Sequence, residues 1–223
     1  LGLGERTGIE LKGEKSGLVP SKQWKKKFKN EPWYPGETIS ASIGQGYNLV
    51  TPLQSVSMIS VIASGGFLVR PYLVKRIENS DGKLIQEFFP EVRRNIDIDP
   101  EVLKHLKEGL RGVVHEAYGT GHRARLKNVI VSGKTGTAQV VGMKDSEEID
   151  PEEEIPYSHR DHAWFVAFAP YEKPEVAVSV IIEHGGHGGA TAAPIAGKIL
   201  KTYFSHYPPS KTIGLGKEKI EVN

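Results

Sequence analysis

Two strongly apolar stretches joined by a short link constrain the fold of this chain more than any other feature. HAWFVAFAP (residues 162–170) and EVAVSVIIE (residues 175–183) are rich in aromatic and β-branched residues, and only YEKP separates them. This composition favours strands, and so short a link suits neighbours that run antiparallel. The sequence therefore predicts an antiparallel pair of strands in the last third of the chain.

Three helices are predicted from their caps and from apolar residues at helical spacing. The first has Thr51 as its N-cap and Pro52 at its first position and ends at Gly65, and the second starts at Asp99 and Pro100 and ends before Gly119. The third lies in ATAAPIAGKILKTYF and ends near Phe204. A hydroxyl or carboxyl residue followed by Pro is typical of a helix start, and Gly of a helix end. Together with the strands, these helices predict an α+β fold, an antiparallel sheet covered by helices.

Three further regions are assigned by composition. YLVKRIENSDGKLIQEFF predicts a hairpin with its turn at residues 79–82. The first 50 residues show little periodicity, so we expect a long structured loop region, in which SKQWKKKFKN places five lysines beside Trp24 and Phe28. That run either contacts an anionic polymer or is a solvated basic face. The acidic stretch KDSEEIDPEEEIPYSHRD, residues 144–161, is expected to be a mobile loop.

Composition narrows the classes of function. A chain of 223 residues with 38% apolar residues can bury a sizeable core, and its net charge of +2 gives no reason to expect a nucleic acid partner. Because it has no cysteine, it forms no disulfide and performs no thiolate chemistry. The sequence has neither a signal-peptide pattern nor an apolar run long enough for a membrane span. It opens without Met on a glycine-rich run, so we expect a portion of a longer polypeptide.

The most distinctive polar motif is VSGKTGTAQVV, in which Lys134, Thr135, Gly136 and Thr137 stand between β-branched runs. On a strand, alternation points Lys134 and Gly136 to one face and the two threonines to the other. On an edge strand, the ammonium can stabilise negative charge, a hydroxyl can bind a carboxylate, and the glycine lets a substrate approach the backbone. The motif is therefore either one wall of an acyl-transfer site or a solvated turn.

Two other kinds of site fit the sequence poorly. A phosphate-binding loop needs a glycine where Asn128 stands, and the residues that follow Asn128 favour a strand. Two clusters contain potential metal ligands. One consists of His159, Asp161 and His162, and the other of His184 and His187. Neither cluster has the spacing of a known metal site, and histidines in such loops are usually solvated or hydrogen-bonded. We therefore predict no metal and no cofactor.

Several long stretches, taken in order, resemble the transpeptidase domain of class B penicillin-binding proteins. They are SIGQGYNLVTPLQ, KTGTAQVV, HAWFVAFAP and VAVSVIIEHGGHGG, and the resemblance runs from Leu1 to about Phe204. Gln45 and the opening LGLGERTGIEL suit the elongation-type branch, penicillin-binding protein 2. We therefore assign residues 1–204 to the C-terminal part of such a domain and residues 205–223 to a tail without a recognisable signal. Together with the apolar spacing, the resemblance also predicts that the antiparallel sheet includes a strand from Thr135 to Val141.

The resemblance implies a serine β-lactamase-like fold and a serine enzyme that cross-links peptidoglycan stem peptides by D,D-transpeptidation and is acylated by β-lactams. It implies that Lys134 belongs to the hydrogen-bond network around the serine and that Thr135 holds the substrate carboxylate. Gly136 would permit close approach, and the N–H of Thr137 would be an oxyanion donor. It also implies a single-pass membrane anchor, a domain on the outer, periplasmic side of the cytoplasmic membrane, and a membrane glycan polymerase and rod-shape scaffold proteins as partners.

The nucleophile is the part of the family pattern that this sequence lacks. The S-x-x-K and S-x-N-type motifs of the family lie upstream of the segment that opens this chain, and no S-x-N occurs in it. Its one S-x-x-K, Ser80 to Lys83, falls in the predicted hairpin turn instead of at the start of a buried helix. We expect the missing N-terminal half to carry the serine, so that the domain is incomplete and the chain alone inactive. The alternative is a non-catalytic scaffold or binding module of the cell-wall machinery.

Overall fold

Helices and strands are both present in this chain, and the computed structural model describes residues 1–140 and 156–209. Its elements in chain order are α1 (Lys22–Lys29), α2 (Pro35–Ser42), α3 (Pro52–Ser64), β1 (Phe67–Arg70), β2 (Arg76–Glu78), β3 (Leu84–Glu87), β4 (Glu91–Asn95), α4 (Pro100–His115), β5 (Ser132–Ala138), β6 (His162–Ala169), β7 (Val176–Ile182) and α5 (Ala192–His206). The predicted α+β class is confirmed.

The central sheet has three antiparallel strands in the order β5-β6-β7. The pair β6 and β7 confirms the hairpin predicted from the two apolar stretches. β5 differs in its limits from the predicted strand, which ran from Thr135 to Val141. The strand already begins at Ser132, because Ser132 and Gly133 pair with Phe168 and Ala167 of β6. It ends at Ala138, and Val141 lies outside the described residues.

Helices cover this sheet, and the alternation of side chains along β6 defines its two faces. Phe165 and Ala167 are fully buried in the main apolar cluster, to which α5 contributes Leu200. Phe168 is also buried, but alternation points it to the opposite face, and α3 packs on β6 and β7. Burying one side chain such as Phe165 stabilises the folded state by about 1.5–3 kcal/mol. The buried residues on both faces of this sheet therefore contribute much of the stability of the domain.

The first 50 residues are not one long loop, as predicted, because α1 and α2 lie within them. The side chain of Ser21 accepts a hydrogen bond from the backbone N–H of Trp24 and so caps α1, while α2 begins at Pro35. The two helices are joined by Lys25, which is buried and forms ion pairs with Glu37 and Glu31. Burial alone would lower the pKa of Lys25, but its hydrogen bonds to these carboxylates raise it above the usual value.

The irregular segment before α1 is held in place by one buried amide. Gln54 of α3 donates hydrogen bonds from Nε2 to the carbonyl oxygens of Glu5 and Ser16, at 2.8 and 2.7 Å. A buried amide without hydrogen-bond partners destabilises the folded state. These two contacts therefore hold the segment against α3.

The hairpin predicted around residues 79–82 is confirmed. Strands β2 and β3 pair antiparallel, and the side chain of Asn79 accepts hydrogen bonds from the backbone of Asp81 and Lys83 in the turn. Ser80 is exposed in this turn. A second antiparallel pair, β1 with β4, was not predicted. Neither pair joins the central sheet.

The remaining predictions concern helix ends and segments outside the described residues. α3 and α4 begin at the predicted prolines, but α4 ends at His115, earlier than the predicted stop at Gly119. α5 continues to His206, into the segment assigned to the tail. Most of the predicted acidic loop, and the tail beyond residue 209, lie outside the described residues. None of the helices in residues 1–140 and 156–209 has the length and apolar character needed to cross a bilayer.

Candidate active site

The open edge of β5 is the feature around which the predicted site residues gather. Among the described residues β5 pairs only with β6, so its other edge is free of strand partners. Two side chains donate hydrogen bonds to backbone oxygens of this edge: Lys134 Nζ to the carbonyl of Thr135 at 2.7 Å, and Gln45 Nε2 to that of Thr137 at 2.8 Å. In an antiparallel strand the N–H and C=O of one residue point to the same side, so the N–H groups of Thr135 and Thr137 also face the open edge.

The side chains of Thr135 and Thr137 line a cleft of about 430 Å³ on one face of β5. The loop between β7 and α5, residues 187–190, also lines this cleft, as do Thr120 and Arg123. The hydroxyl oxygens of Thr120 and Thr135 are 2.8 Å apart and share a hydrogen bond. Hydroxyl donors beside an arginine are groups suited to binding a carboxylate.

Lys134 lines a different cleft, as alternation along a strand requires. This second cleft, of about 440 Å³, is lined by residues of α4, by Tyr118 and by Thr120, and its lining includes Glu108 and Glu116. Thr120 borders both clefts. The structure thus brings the two threonines of the motif together on one face of β5. The ammonium of Lys134 lies at the open edge of the strand, where it donates a hydrogen bond to the carbonyl of Thr135.

Glycines allow the loop after β7 to lie directly on the strand pair. A Cβ atom on Gly188 would come within 2.2 Å of the carbonyl oxygen of Trp164 and 2.5 Å of that of Gly136. Distances this short are forbidden, so only a residue without a side chain fits. Gly136 is itself close to its neighbour strand, since its Cβ would lie 3.3 Å from that of Trp164. The glycines of EHGGHGG therefore build the wall of the cleft.

The two predicted histidine clusters meet in the structure through hydrogen bonds. The backbone N–H of His184 donates to Nδ1 of His162 at 2.9 Å, and Nδ1 of His184 lies 3.0 Å from the carbonyl oxygen of Arg160. The ring of Tyr157 packs on that of His184, with centroids 4.9 Å apart. Within residues 1–140 and 156–209, no group of three or more His, Asp or Glu side chains is placed to hold a metal ion.

His115, at the end of α4, anchors the start of β5. Its Nε2 accepts a hydrogen bond of 3.2 Å from the backbone N–H of Val131, which requires a ring nitrogen without a proton. Burial lowers the pKa of His115, and the nearby guanidinium groups of Arg125 and Arg111 lower it further. The neutral ring thus supports the segment that leads into Lys134, Thr135 and Gly136, the K-T-G motif.

Sequence analysis did not find several of the residues that complete this site. Thr120 and Arg123 lie in a short segment of loop and 3-10 turn after α4, for which no function was predicted. Gln45 was noted only as a family feature, and its contact with Thr137 joins residues 92 positions apart. A signal was present for the loop of residues 187–190, since paired glycines indicate close backbone approach.

Comparison with known proteins agrees with this geometry. The sequence model of the penicillin binding protein transpeptidase domain matches residues 1–201. Peptidoglycan D,D-transpeptidase MrdA of Haemophilus influenzae is 37% identical over 216 residues, which are 93% of this chain and 32% of the relative. The chain thus spans about a third of the length of that curated relative.

Solved structures show the same architecture. The penicillin-binding protein PBP2 of Helicobacter pylori, solved in complex with MreC, superposes with a TM-score of 0.71 at 33% identity, covering 92% of this chain and 34% of that one. Penicillin-binding protein A of M. tuberculosis, solved as a ceftriaxone acyl-enzyme, gives 0.68 at 27% identity, covering 87% and 40%. This chain belongs to the penicillin-binding protein transpeptidase family. Within it, the chain is of the class B type represented by PBP2 and MrdA, as its motifs predict.

Proposed function

We propose that this chain forms one wall of the active site of a serine D,D-transpeptidase that cross-links peptidoglycan, and that a segment outside the chain supplies the nucleophile. The observation that carries the proposal is the edge of β5, where backbone N–H groups, two threonine hydroxyls and an ammonium converge beside a cleft. Preorganised donors of this kind stabilise the oxyanion that forms when a hydroxyl attacks an amide.

Each residue of the motif takes a role that its position permits. The N–H of Thr137 faces the open edge and serves as one oxyanion donor. The hydroxyl of Thr135, hydrogen-bonded to Thr120, holds the substrate carboxylate. Lys134 contributes positive charge beside the nucleophile, and Gly136 keeps the strand pair free of a side chain that would displace the substrate.

The nucleophile does not come from this sequence in our proposal. Ser80, in its only S-x-x-K, is exposed in the turn of β2 and β3, a pair that does not join the central sheet. A reactive serine needs a base within hydrogen-bond reach, as a lysine one turn away on a buried helix provides. The same observation favours the second candidate function, a non-catalytic scaffold of the cell-wall machinery that keeps this wall without a nucleophile.

Relatives support the wider setting of the proposal. Because a related protein forms an acyl-enzyme with ceftriaxone, we propose β-lactams as covalent inhibitors of the intact protein. Because a related PBP2 forms a complex with MreC, we propose rod-shape scaffold proteins as partners, together with a membrane glycan polymerase. We also propose that a single-pass anchor holds the intact protein with its catalytic domain on the outer side of the cytoplasmic membrane.

Labelled penicillin tests the proposal directly. We expect the intact protein to form an adduct on a serine outside residues 1–223, and we expect the isolated chain to form none at high drug concentration and long times. Intact-mass analysis with peptide mapping gives the answer. An adduct on Ser80 would show that the nucleophile is misplaced, and an intact protein without any adduct would favour the scaffold.

Two variants of the intact protein test whether the β5 wall is catalytic. Thr135→Val keeps the shape but removes the hydroxyl, and Lys134→Ala removes the cation. Losing one preorganised polar contact typically slows the reaction by about 10²–10³. Lys83→Ala, in the distant hairpin turn, is the matched control for the removal of a lysine. Unchanged acylation in both β5 variants, with the fold intact, would refute the catalytic assignment.

A further inference from the structure

Helix α1 carries a dense cluster of positive charge, most of which the fold leaves exposed. Four of its lysines are exposed: Lys22, Lys26, Lys27 and Lys29. In the part of the chain that the structure describes, none of the four forms an ion pair. Lys25 differs, because it is buried and paired with Glu37 and Glu31. Like charges this close repel one another, so the four exposed lysines are better explained by an anionic partner than by stability.

An aromatic side chain stands among these lysines. Phe28 is 64% exposed, and the ammonium of Lys27 lies 5.4 Å from the centre of its ring. Phe28 rests on Trp24, whose ring in turn packs against Tyr47, with centroids 6.2 and 5.2 Å apart. Lys22, Lys26 and Lys29 share one side of α1 at helical spacing, and Lys27 and Phe28 lie on its remaining exposed surface. We call these five residues together the basic-aromatic face.

The basic-aromatic face is connected to the open edge of β5 through one loop. Tyr47 packs on Trp24 of α1, and Gln45, two residues earlier, donates its hydrogen bond to the carbonyl of Thr137. Two residues of one loop thus contact α1 and β5, and a single extended polymer that lies along both surfaces is part of the proposal. Its peptide would occupy the edge of β5 while its neighbouring units contact α1.

We propose that the basic-aromatic face binds the peptidoglycan strand whose stem peptide occupies the β5 edge; this inference rests on the proposed function. The strand offers both complementary chemistries, since its peptides carry carboxylates and its sugar rings present C–H faces that pack on aromatic rings. A lipid surface fits less well, because Phe28 is the only exposed apolar side chain on α1 and an interfacial helix needs an apolar stripe.

The test uses the intact protein with all four exposed lysines changed together: Lys22→Gln, Lys26→Gln, Lys27→Gln and Lys29→Gln. The matched control removes the same charge from exposed lysines elsewhere: Lys75→Gln, Lys83→Gln, Lys198→Gln and Lys201→Gln. The probe is soluble, uncross-linked peptidoglycan with pentapeptide stems, and the measurement is its dissociation constant at several salt concentrations. A second variant, Phe28→Ala, tests the aromatic contribution.

We expect the dissociation constant to rise roughly ten- to twentyfold in the α1 variant, because each exposed ion pair contributes on the order of a factor of two. The affinity of the variant should also depend less on salt, while the control set should change it by less than about twofold. Equal losses in both sets, or no loss in the α1 variant, would overturn the proposal. Stronger binding to phosphatidylglycerol vesicles than to strands would assign the face to lipid instead and also overturn it.

Acylation by a small labelled penicillin separates this inference from the function on which it rests. The drug lacks the glycan strand that is proposed to contact α1, so we expect equal acylation rates in the parent and the α1 variant. A variant that loses acylation as well as strand binding would show that α1 supports the fold, which contradicts the inference. A parent protein that binds strands but is never acylated would refute the proposed function alone.

Discussion

Gln45 donates a hydrogen bond of 2.8 Å from its side-chain amide to the carbonyl oxygen of Thr137, on the open edge of β5. The bond fixes the peptide plane on the C-terminal side of Thr137 and restrains the strand at the residue whose N–H is proposed to meet the oxyanion. Under the proposed function, Gln45 therefore acts on the site through Thr137, as a positioning residue. The first prediction follows from this contact.

We expect Gln45→Ala to lower the second-order rate constant of penicillin acylation about 2- to 10-fold, the usual worth of one neutral hydrogen bond. Gln45→Glu should be slower still at neutral pH, because an ionised carboxylate repels the carbonyl oxygen of Thr137. Lowering the pH toward the ordinary glutamate pKa of about 4.3 protonates the introduced carboxyl, which can then donate. The rate of this variant relative to the parent should therefore recover in acid.

The control for Gln45 is Gln86→Ala, an exposed glutamine in the distant hairpin. It should leave acylation unchanged at every pH. A purely structural effect of Gln45 would lower the rates of both Gln45 variants by a factor that does not depend on pH. That outcome would contradict the positioning role.

The hydroxyl of Thr120 orients that of Thr135, from which it lies 2.8 Å away. Removing the Thr120 hydroxyl in Thr120→Val should weaken the proposed binding of the drug carboxylate by Thr135. We expect acylation to slow about 2- to 10-fold. Thr120→Ser keeps the hydroxyl and should stay close to the parent. The measurement is the acylation rate as a function of drug concentration, which separates initial binding from the chemical step. Equal losses in the two variants would show that Thr120 matters for packing alone.

Gly188 is predicted to be intolerant of any side chain. In Gly188→Ala the new methyl would collide with the carbonyl oxygens of Trp164 and Gly136, so the loop must move away from β5. Forcing extra atoms into a packed site typically costs about 1–3 kcal/mol, and we expect a lower midpoint of thermal unfolding together with slower acylation. Gly109→Ala is the matched control, since nothing lies near its Cβ and alanine favours a helix. Similar midpoints for Gly188→Ala and the parent would contradict the prediction.

The sequence predicts best those elements that have strong local signals. Strands β6 and β7 are long apolar runs, and α3 and α4 begin with a cap followed by proline. Helices α1 and α2 were missed because eight residues contain too few turns for an apolar period to emerge. The lysine run that follows Ser21 was interpreted as either a contact for an anionic polymer or a solvated basic face. One of those lysines, Lys25, is in fact buried and paired.

The residues of the candidate site also fall into those that the sequence predicted and those that it did not. The K-T-G motif was found because its residues are contiguous, and alternation correctly separates Lys134 from Thr135. Thr120 and Gln45 reach β5 from 15 and 92 residues away, and nothing in a single sequence reports such distances. Their contacts become visible only when the sheet edge and the two loops are placed together.

The last prediction concerns pH. His115 is neutral in the folded protein, because burial and the charges of Arg125 and Arg111 lower its pKa, and it accepts a hydrogen bond from Val131. In the unfolded chain a histidine has a pKa of about 6.5. Below that pH the unfolded state therefore binds more protons than the folded state, so stability falls as the pH falls. The contribution of His115 is fully present above about pH 6.5 and is lost as the pH decreases toward its folded pKa.

Denaturant unfolding of the intact protein at about pH 7.5 and at about pH 5.5, on either side of the ordinary histidine pKa, measures this contribution. His115→Gln supplies a side-chain oxygen as acceptor for the N–H of Val131 but cannot take up a proton, so its free energy of unfolding should fall less on acidification than that of the parent. His105→Gln, which makes the same substitution at an exposed position on the same helix, is the matched control. If the parent and His115→Gln lost stability equally between the two pH values, the neutral anchor of β5 would be refuted.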